Sequence, residues 1–460
     1  MFKTPFSDAF ATSIIKEKSL VLEGLWDSPK ALLLSIASKT LNCPILVITS
    51  GEREGMLYED LLFFQEKGIF ELPAWEALPG EEVRPSVDVM GRRMEILHKL
   101  LTVKEPPIVL TPLQSLLLKT PSPSHLDKNF LELNVGLEIS FEDLIEWLLE
   151  LGYQKTKLVS DKGYFAIRGG IIDVYPTASF TPYRIEFFGN KIENIRTFDP
   201  ISQKSIEKKT SLTVSPGNEE ILLKEAKELK TLLDFLPNSL LVFDDLLQIE
   251  DRYAALKSLE GAKSRFFAPL EEFLERAPKK LFFTETGVES LSETTLENKS
   301  GRAFYTGKTP YEPITFEMFH QKIDAKRHYH PFQTPHDFFD SEDLCAGVAS
   351  NQDMKGLQLL FLSENEKEEA NLKASFSILP KNTTFENGYL SSGFVLSDVP
   401  LAVIPYTELT HRKKIRRTKW RASYHTPVVE YHALEIGDFV VHFHHGVGRY
   451  LGLEKEKNHL

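Results

Sequence analysis

The stretch Gly163–Ser205 limits what this chain can fold into more sharply than any other. It reads GYFAIRGGIIDVYPTASFTPYRIEFFGNKIENIRTFDPISQKS. Short runs of β-branched and aromatic residues alternate with Gly, Pro and Asn, which is the pattern of strands and turns. Candidate strands are Tyr164–Arg168, Ile171–Tyr175, Tyr183–Phe188 and Lys191–Phe198. Gly169-Gly170 joins the first two, and Pro176 and Pro182 bound a loop. Gly189-Asn190 is a two-residue hairpin signal, because glycine readily takes the positive φ such a turn needs.

Parity sorts the faces, since residues two apart on a strand share one. Tyr183, Ile185 and Phe187 form the apolar face of the third strand, and Arg184, Glu186 and Phe188 the other. On the first strand Phe165 and Ile167 point one way and Arg168 the other. With the apolar sides on the core, Arg168, Arg184 and Phe188 lie on the outer surface. A Phe among arginines is the composition of an interface hot spot. Solvated arginines with Phe188 packed under a loop meet the same pattern equally well.

At 460 residues the chain has room for about three domains. Hydrophobic content of 42% with 26% charged residues is that of a soluble globular protein. The net charge of -12 argues against a protein that coats nucleic acid nonspecifically. Cys43 and Cys345 are the only cysteines, so no disulfide framework or Cys-rich metal site is expected, and a reducing cytoplasm fits. MFKTPFSDAF lacks a signal-peptide core. No apolar run approaches the ~20 residues of a membrane helix.

Leu20–Ser50 reads as strand, loop, helix and strand, the start of a parallel α/β domain. The helical pattern covers Lys30–Leu41. The loop Gly24-Leu-Trp-Asp-Ser-Pro29-Lys30-Ala31 has the spacing of a phosphate loop, G-x-x-x-x-G-K-[ST]. Proline replaces the second glycine and has no N–H to offer phosphate. Alanine replaces the Ser/Thr and cannot ligate Mg²⁺. An ordinary helix-end lysine at Lys30 makes the same prediction, no nucleotide binding. Leu240–Asp245, LLVFDD, formally matches the strand whose acid positions Mg²⁺ beside such a loop. A buried strand ending in a surface turn is the reading taken for Asp244 and Asp245.

The motifs RGGIIDVYP and PYRIEFFGNKIENIRTFDPISQKS resemble the UvrA-binding domain shared by UvrB and the transcription-repair coupling factors. The resemblance implies that the outer sheet face docks UvrA, with contact positions matching Arg168, Arg184 and Phe188. Two further features resemble the coupling factors rather than UvrB. One is the decayed loop Gly24, Pro29, Lys30 and Ala31, which is intact in UvrB. The other is Leu434–Leu453, LEIGDFVVHFHHGVGRYLGL, which resembles the opening of the RNA-polymerase-interacting, CarD-like domain and brings in His442, Gly446, Gly448 and Arg449. Gly446 and Gly448 suit a tight turn between strands. His442 and His444 read as packing or turn residues, not metal ligands.

Pro73–Leu101 also resembles the coupling factors. Its own pattern is a tryptophan-anchored loop followed by a helix carrying Met90, Met94 and Leu97, with Arg92 and Arg93 read as solvated helix arginines in preference to DNA contacts. Phe141–Gly152 is an amphipathic helix with Ser140 as N-cap. His320, His328, His330 and His336 lack metal-ligand spacing and read as structural. Leu357–Thr407 suggests a small α/β unit, with a helix at Lys367–Ala374 and a strand at Gly393–Leu396. Arg412–Arg421 is a basic run that can grip phosphates or serve as a solvated linker, the reading favoured here.

The expected fold is multidomain α/β. A degenerate P-loop-type parallel domain (1–130 and 213–340) carries an inserted mainly-β UvrA-binding domain (131–212). A small α/β domain (341–410), a basic linker (411–433) and an incomplete β module (434–460) follow. One hairpin cannot close that module, so the chain reads as a piece of a longer protein. The expected function is non-catalytic: recruitment of UvrA to a lesion-stalled polymerase in transcription-coupled excision repair. No catalytic residue, metal or cofactor is assigned. The resemblance leaves ATP, Mg²⁺ and DNA to a motor beyond this stretch, and the RNA polymerase β subunit to the truncated module. No membrane partner is expected. The competing reading is a UvrB-like, ATP-dependent damage-loading protein.

Overall fold

The computed structural model describes residues 4–51, 54–65, 67–78, 85–259, 264–285, 313–318, 321–328, 330–339, 344–350, 356–376, 382–396, 399–410, 437, 439–442 and 446–449. Two compact units are present, 1–417 and 418–460.

The first unit is built on an eight-stranded sheet. Its order is Pro313–Met318, Gln321–Arg327, Ser19–Glu23, Lys279–Thr284, Leu240–Phe243, Ile45–Thr49, Ile108–Pro112 and Ile69–Glu71. All neighbours run parallel except the Pro313–Met318 edge. Ser19–Glu23 and Ile45–Thr49 are buried at every position. That is why they read as unbroken apolar runs, since helices cover both faces of a parallel sheet. Val21, Leu46 and Ile48 feed one core layer, and Leu20, Leu22, Ile45 and Val47 the other.

Leu131–Asn134 pairs antiparallel with Ser211–Val214, so the chain enters and leaves the inserted region through one two-stranded neck. Beyond the neck lies a six-stranded sheet, ordered Ser205–Lys209, Lys191–Phe198, Tyr183–Phe188, Ile171–Val174, Tyr164–Arg168 and Gln154–Lys155. The Phe141–Glu150 helix covers one face, and Ser140 Oγ caps it by accepting the Asp143 amide at 3.2 Å. Leu144, Leu148, Phe165, Ile172, Ile185 and Ile195 form the core between them.

A five-stranded sheet takes its edge strand, Phe332–Gln333, from ahead of residue 341, then runs Phe394–Leu396, Leu401–Pro405, Gln358–Ser363 and Thr383–Asn387. Its helix is Glu366–Ser375. Leu360, Leu390, Phe394 and Val403 join the same core layer as Leu20 and Ile45, so this sheet packs onto the larger one.

The second unit, by itself, shows Phe439–His442 paired antiparallel with Gly446–Arg449. Gly446 and Gly448 therefore lie within a strand, not in the turn expected of them. Gly448 opposes Val440, and the Arg449 guanidinium sits 5.0 Å from the Phe439 ring. His444 and the basic run Arg412–Arg421 lie outside the described residues. Among the described residues no helix is long and apolar enough to cross a membrane.

Candidate functional site

The inserted sheet has two unlike faces. Its helix-covered face is the core already described. On the other, strand register sets Ala166, Asp173, Arg184, Arg196 and Lys208 in one row across five strands. Arg184 donates from Nε to Asp173 Oδ1 at 2.7 Å and from Nη2 to Oδ2 at 2.9 Å. Its guanidinium lies 4.8 Å from the Phe198 ring, and Nη1 reaches the Gln203 carbonyl at 3.4 Å. The Asp173 bond, ahead of the opposing burial, raises the Arg184 pKa further. Asp173 is buried, and Val159, Ala166, Tyr175 and Phe198 form a small second core beside it.

Phe188 is on this face too, two residues past Glu186, and is 79% exposed. Glu186 is itself held by Arg196 at 2.7 Å. Arg168 is exposed at the end of its strand. Arg168 and Phe188 each stand next to a glycine with positive φ, Gly169 at 58° and Gly189 at 59°. The two turns adjoin, since the Phe187 amide donates to the Gly170 carbonyl at 2.9 Å. Exposed aromatic and guanidinium groups thus stand on a stiff sheet end, while Arg184 is committed to the sheet behind them.

The segment with phosphate-loop spacing, Gly24–Ala31, is organised differently. Gly24 has φ of 69°, and the helix begins at Asp27, so Pro29, Lys30 and Ala31 all lie in its first turns. Pro29 and Ala31 are buried. Lys30 is also buried, not a solvated helix-end lysine. Its Nζ lies 2.7 Å from Asp244 Oδ1 and 3.5 Å from Glu285 Oε1. Burial alone would lower the Lys30 pKa, but Asp244, Glu285 and Asp245 together outweigh it and the net shift is upward. Asp244 is therefore not merely a surface-turn acid. Asp27, Ser50, Leu57, Asp245 and Gln248 complete the walls of a cavity of about 20 Å³, room for roughly one water molecule.

Comparison with known proteins bears on both regions. Residues 131–219 match the UvrB interaction domain family, and residues 434–459 match the CarD-like/TRCF RID domain family. The transcription-repair-coupling factor of Bacillus subtilis (strain 168) is 26% identical over 497 residues, covering 95% of this chain. That of Staphylococcus aureus (strain MSSA476) is 26% identical over 96% of the chain, and that of Rickettsia prowazekii (strain Madrid E) 25% over 91%. Over most of its length the chain is thus similar to transcription-repair-coupling factors. It spans 42% of the length of the first two relatives.

The inserted region is clamped to the α/β body by the Val87–Thr102 helix. Asp88 pairs with Lys162 at 2.6 Å. Gly91 is so close to Thr177 that a Cβ would stand 2.2 Å from its carbonyl oxygen. Arg93, expected in solvent, is fully buried. Its Nε donates to both oxygens of Glu219 at 3.0 Å, and its Nη1 to the Pro73 carbonyl at 2.7 Å. Trp75 Nε1 donates to Glu219 Oε2 at 2.7 Å, so the tryptophan anchors the loop as the sequence suggested. Periodicity could not separate Arg93 from Arg92, which pairs with Glu95 at the surface. Glu219, 126 residues away, had no local signal at all.

The histidines are dispersed among structural roles. His328 lies 5.6 Å from Phe6 and 5.8 Å from Phe10, ring to ring. His330 Nε2 meets the Glu23 carbonyl, and His336 lies 3.9 Å from Glu408. Burial takes His328 and His330 down to about 4. His320 lies outside the described residues. Among the described residues no group of His, Cys, Asp and Glu is placed to hold a metal ion.

Proposed function

We propose that this chain is a recruitment region for transcription-coupled repair. The inserted sheet docks UvrA through Phe188 and Arg168, with Arg184 shaping the surface behind them. The stretch from residue 434 begins a contact with RNA polymerase, through its β subunit. The observation that carries this reading is Phe188 itself, 79% exposed on a braced sheet. A rigid, exposed aromatic flanked by a guanidinium has the makeup of a binding hot spot. The match to the UvrB interaction domain over 131–219 supports the choice of partner.

On the same reading the chain is not an ATPase. Lys30, the residue that would reach nucleotide phosphates, is held by Asp244 at 2.7 Å, and Pro29 and Ala31 supply neither the amide nor the hydroxyl such a site uses. ATP, Mg²⁺ and DNA belong to a motor carried elsewhere in full-length relatives. The test is binding of the chain to purified UvrA, comparing wild type with Arg168→Ala. Micromolar or tighter binding by wild type, weakened at least tenfold in the variant, supports the reading. No wild-type binding at micromolar concentration overturns it.

A further inference from the structure

The segment Gly388–Gly393 leaves the small sheet and lies across the start of the Asp27–Leu41 helix and along the Glu54–Phe64 helix. Gly388 packs on Phe63, where an added Cβ would stand 2.4 Å from the ring. The Ser391 amide and hydroxyl donate to Asp60 Oδ1 and Oδ2, each at 2.6 Å. The Ser28 hydroxyl donates to the same Oδ2 at 2.9 Å. The Ser28 amide donates to Ser392 Oγ at 3.3 Å, and the Ser392 amide returns to Ser28 Oγ at 3.1 Å. Trp26 Nε1 reaches the Gly393 carbonyl at 3.4 Å.

Trp26 is the N-cap of that helix and gives it no side-chain cap. Ser392 supplies the missing acceptor from the small sheet, satisfying an amide the helix start leaves open. Ser28, Asp60, Ser391 and Ser392 are all buried. The Asp60 carboxyl is therefore withdrawn from water among hydroxyls and an amide, with no cation among these partners. An ionised carboxylate in such a place is costly unless it is paired with a cation. A protonated one fits, because the Ser28 hydroxyl can turn to accept its proton while Ser391 remains a donor.

We propose that this junction is a proton-operated latch: the small sheet stays seated on the phosphate-loop helix while Asp60 is protonated, and loosens as Asp60 ionises. The energetics agree with the geometry. Burial lifts the Asp60 carboxyl from 3.8 to about 7, against the pull of Ser391 and Ser28, and nearby Asp27 adds to the rise. For an acid raised on closing, the stabilisation is complete below the ordinary carboxylate pKa and is lost as pH climbs through the raised value. Also at the junction are the Glu408 carboxylate, which accepts the Gly393 amide at 3.1 Å, and the His336 imidazole 3.9 Å from it.

Hydrogen exchange of residues 388–393, corrected for intrinsic rates, tests the latch in the whole chain. Raising pH from 6 to 8 should lower their protection about tenfold. Asp60→Asn should remove that pH dependence, and His336→Gln should leave it in place. Ser391→Ala deletes one donor to the carboxylate and should move the midpoint to higher pH, which gives a readout even if Asp60→Asn does not fold. Wild-type protection that is flat with pH overturns the proposal. So does a slope that survives Asp60→Asn or vanishes in His336→Gln, or a midpoint unmoved by Ser391→Ala.

Discussion

Arg184 grips Asp173 through both carboxylate oxygens, at 2.7 and 2.9 Å, on the face of the inserted sheet away from its helix. Asp173 is buried there, so the pair braces the sheet as well as shaping its surface. Arg184→Ala should therefore lower stability by roughly 2–3 kcal/mol, because it strands a buried carboxylate. Asp173→Asn should cost less, since the amide is neutral. Thermal melting of the chain with each variant separates this structural cost from any loss of binding.

The Lys30–Asp244 pair makes a second prediction. Lys30→Met should destabilise the α/β body by about 1–3 kcal/mol, leaving Asp244 facing Asp245 and Glu285 without their cation. Asp244→Asn should cost a similar amount, and the double variant less than the sum, because the two residues share one interaction. Denaturant unfolding of the four proteins measures the coupling. Millimolar ATP with Mg²⁺ should leave the melting temperature of wild type unchanged, since only a ligand of the native state raises it.

The clamp on the Val87–Thr102 helix makes a third. Arg93→Leu leaves the Glu219 carboxylate buried beside Trp75 and should cost about 3–5 kcal/mol. Gly91→Ala must push the helix away from Thr177, because backbone stands where the methyl would go. It should destabilise the chain and raise hydrogen exchange at residues 177–179. Unchanged exchange there would mean the inserted region is not held by this contact.

His328 and His330 set the acid limit. Each is held neutral in the fold, with burial taking it from 6.5 to about 4. A base whose pKa is lowered on folding stabilises the fold above its unfolded pKa, and that stability is lost as pH falls through the folded value. Stability should decline from about pH 6.5 to pH 4. His328→Phe keeps the ring against Phe6 and Phe10 and should flatten the decline, as followed by melting temperature against pH.

Local pattern carried the strands well. Alternation in Tyr183–Phe188 reached the right faces, with Ile185 buried and Phe188 exposed, because a strand's period is fixed by its backbone. The continuous apolar runs at Leu20 and Ile45 reported strands buried on both sides. Long-range pairing was less visible by comparison. Nothing near Arg93 announces Glu219. The acid-ended strand that the loop's spacing calls for did point to Asp244, 214 residues on, though the surface-turn reading set it aside. Asp173, an acid inside the run Ile171–Val174, was a usable sign that its outward side meets a cation. Glycines misled at the other end of the chain, where Gly446 and Gly448 pair within a strand instead of turning it.

The most direct measurement is the affinity of Phe188→Ala for UvrA, taken alongside its melting temperature. Phe188 is 79% exposed, so its removal should change stability by less than about 0.5 kcal/mol. The account predicts a loss of at least tenfold in affinity with that stability intact. Wild-type affinity in the folded variant would contradict it.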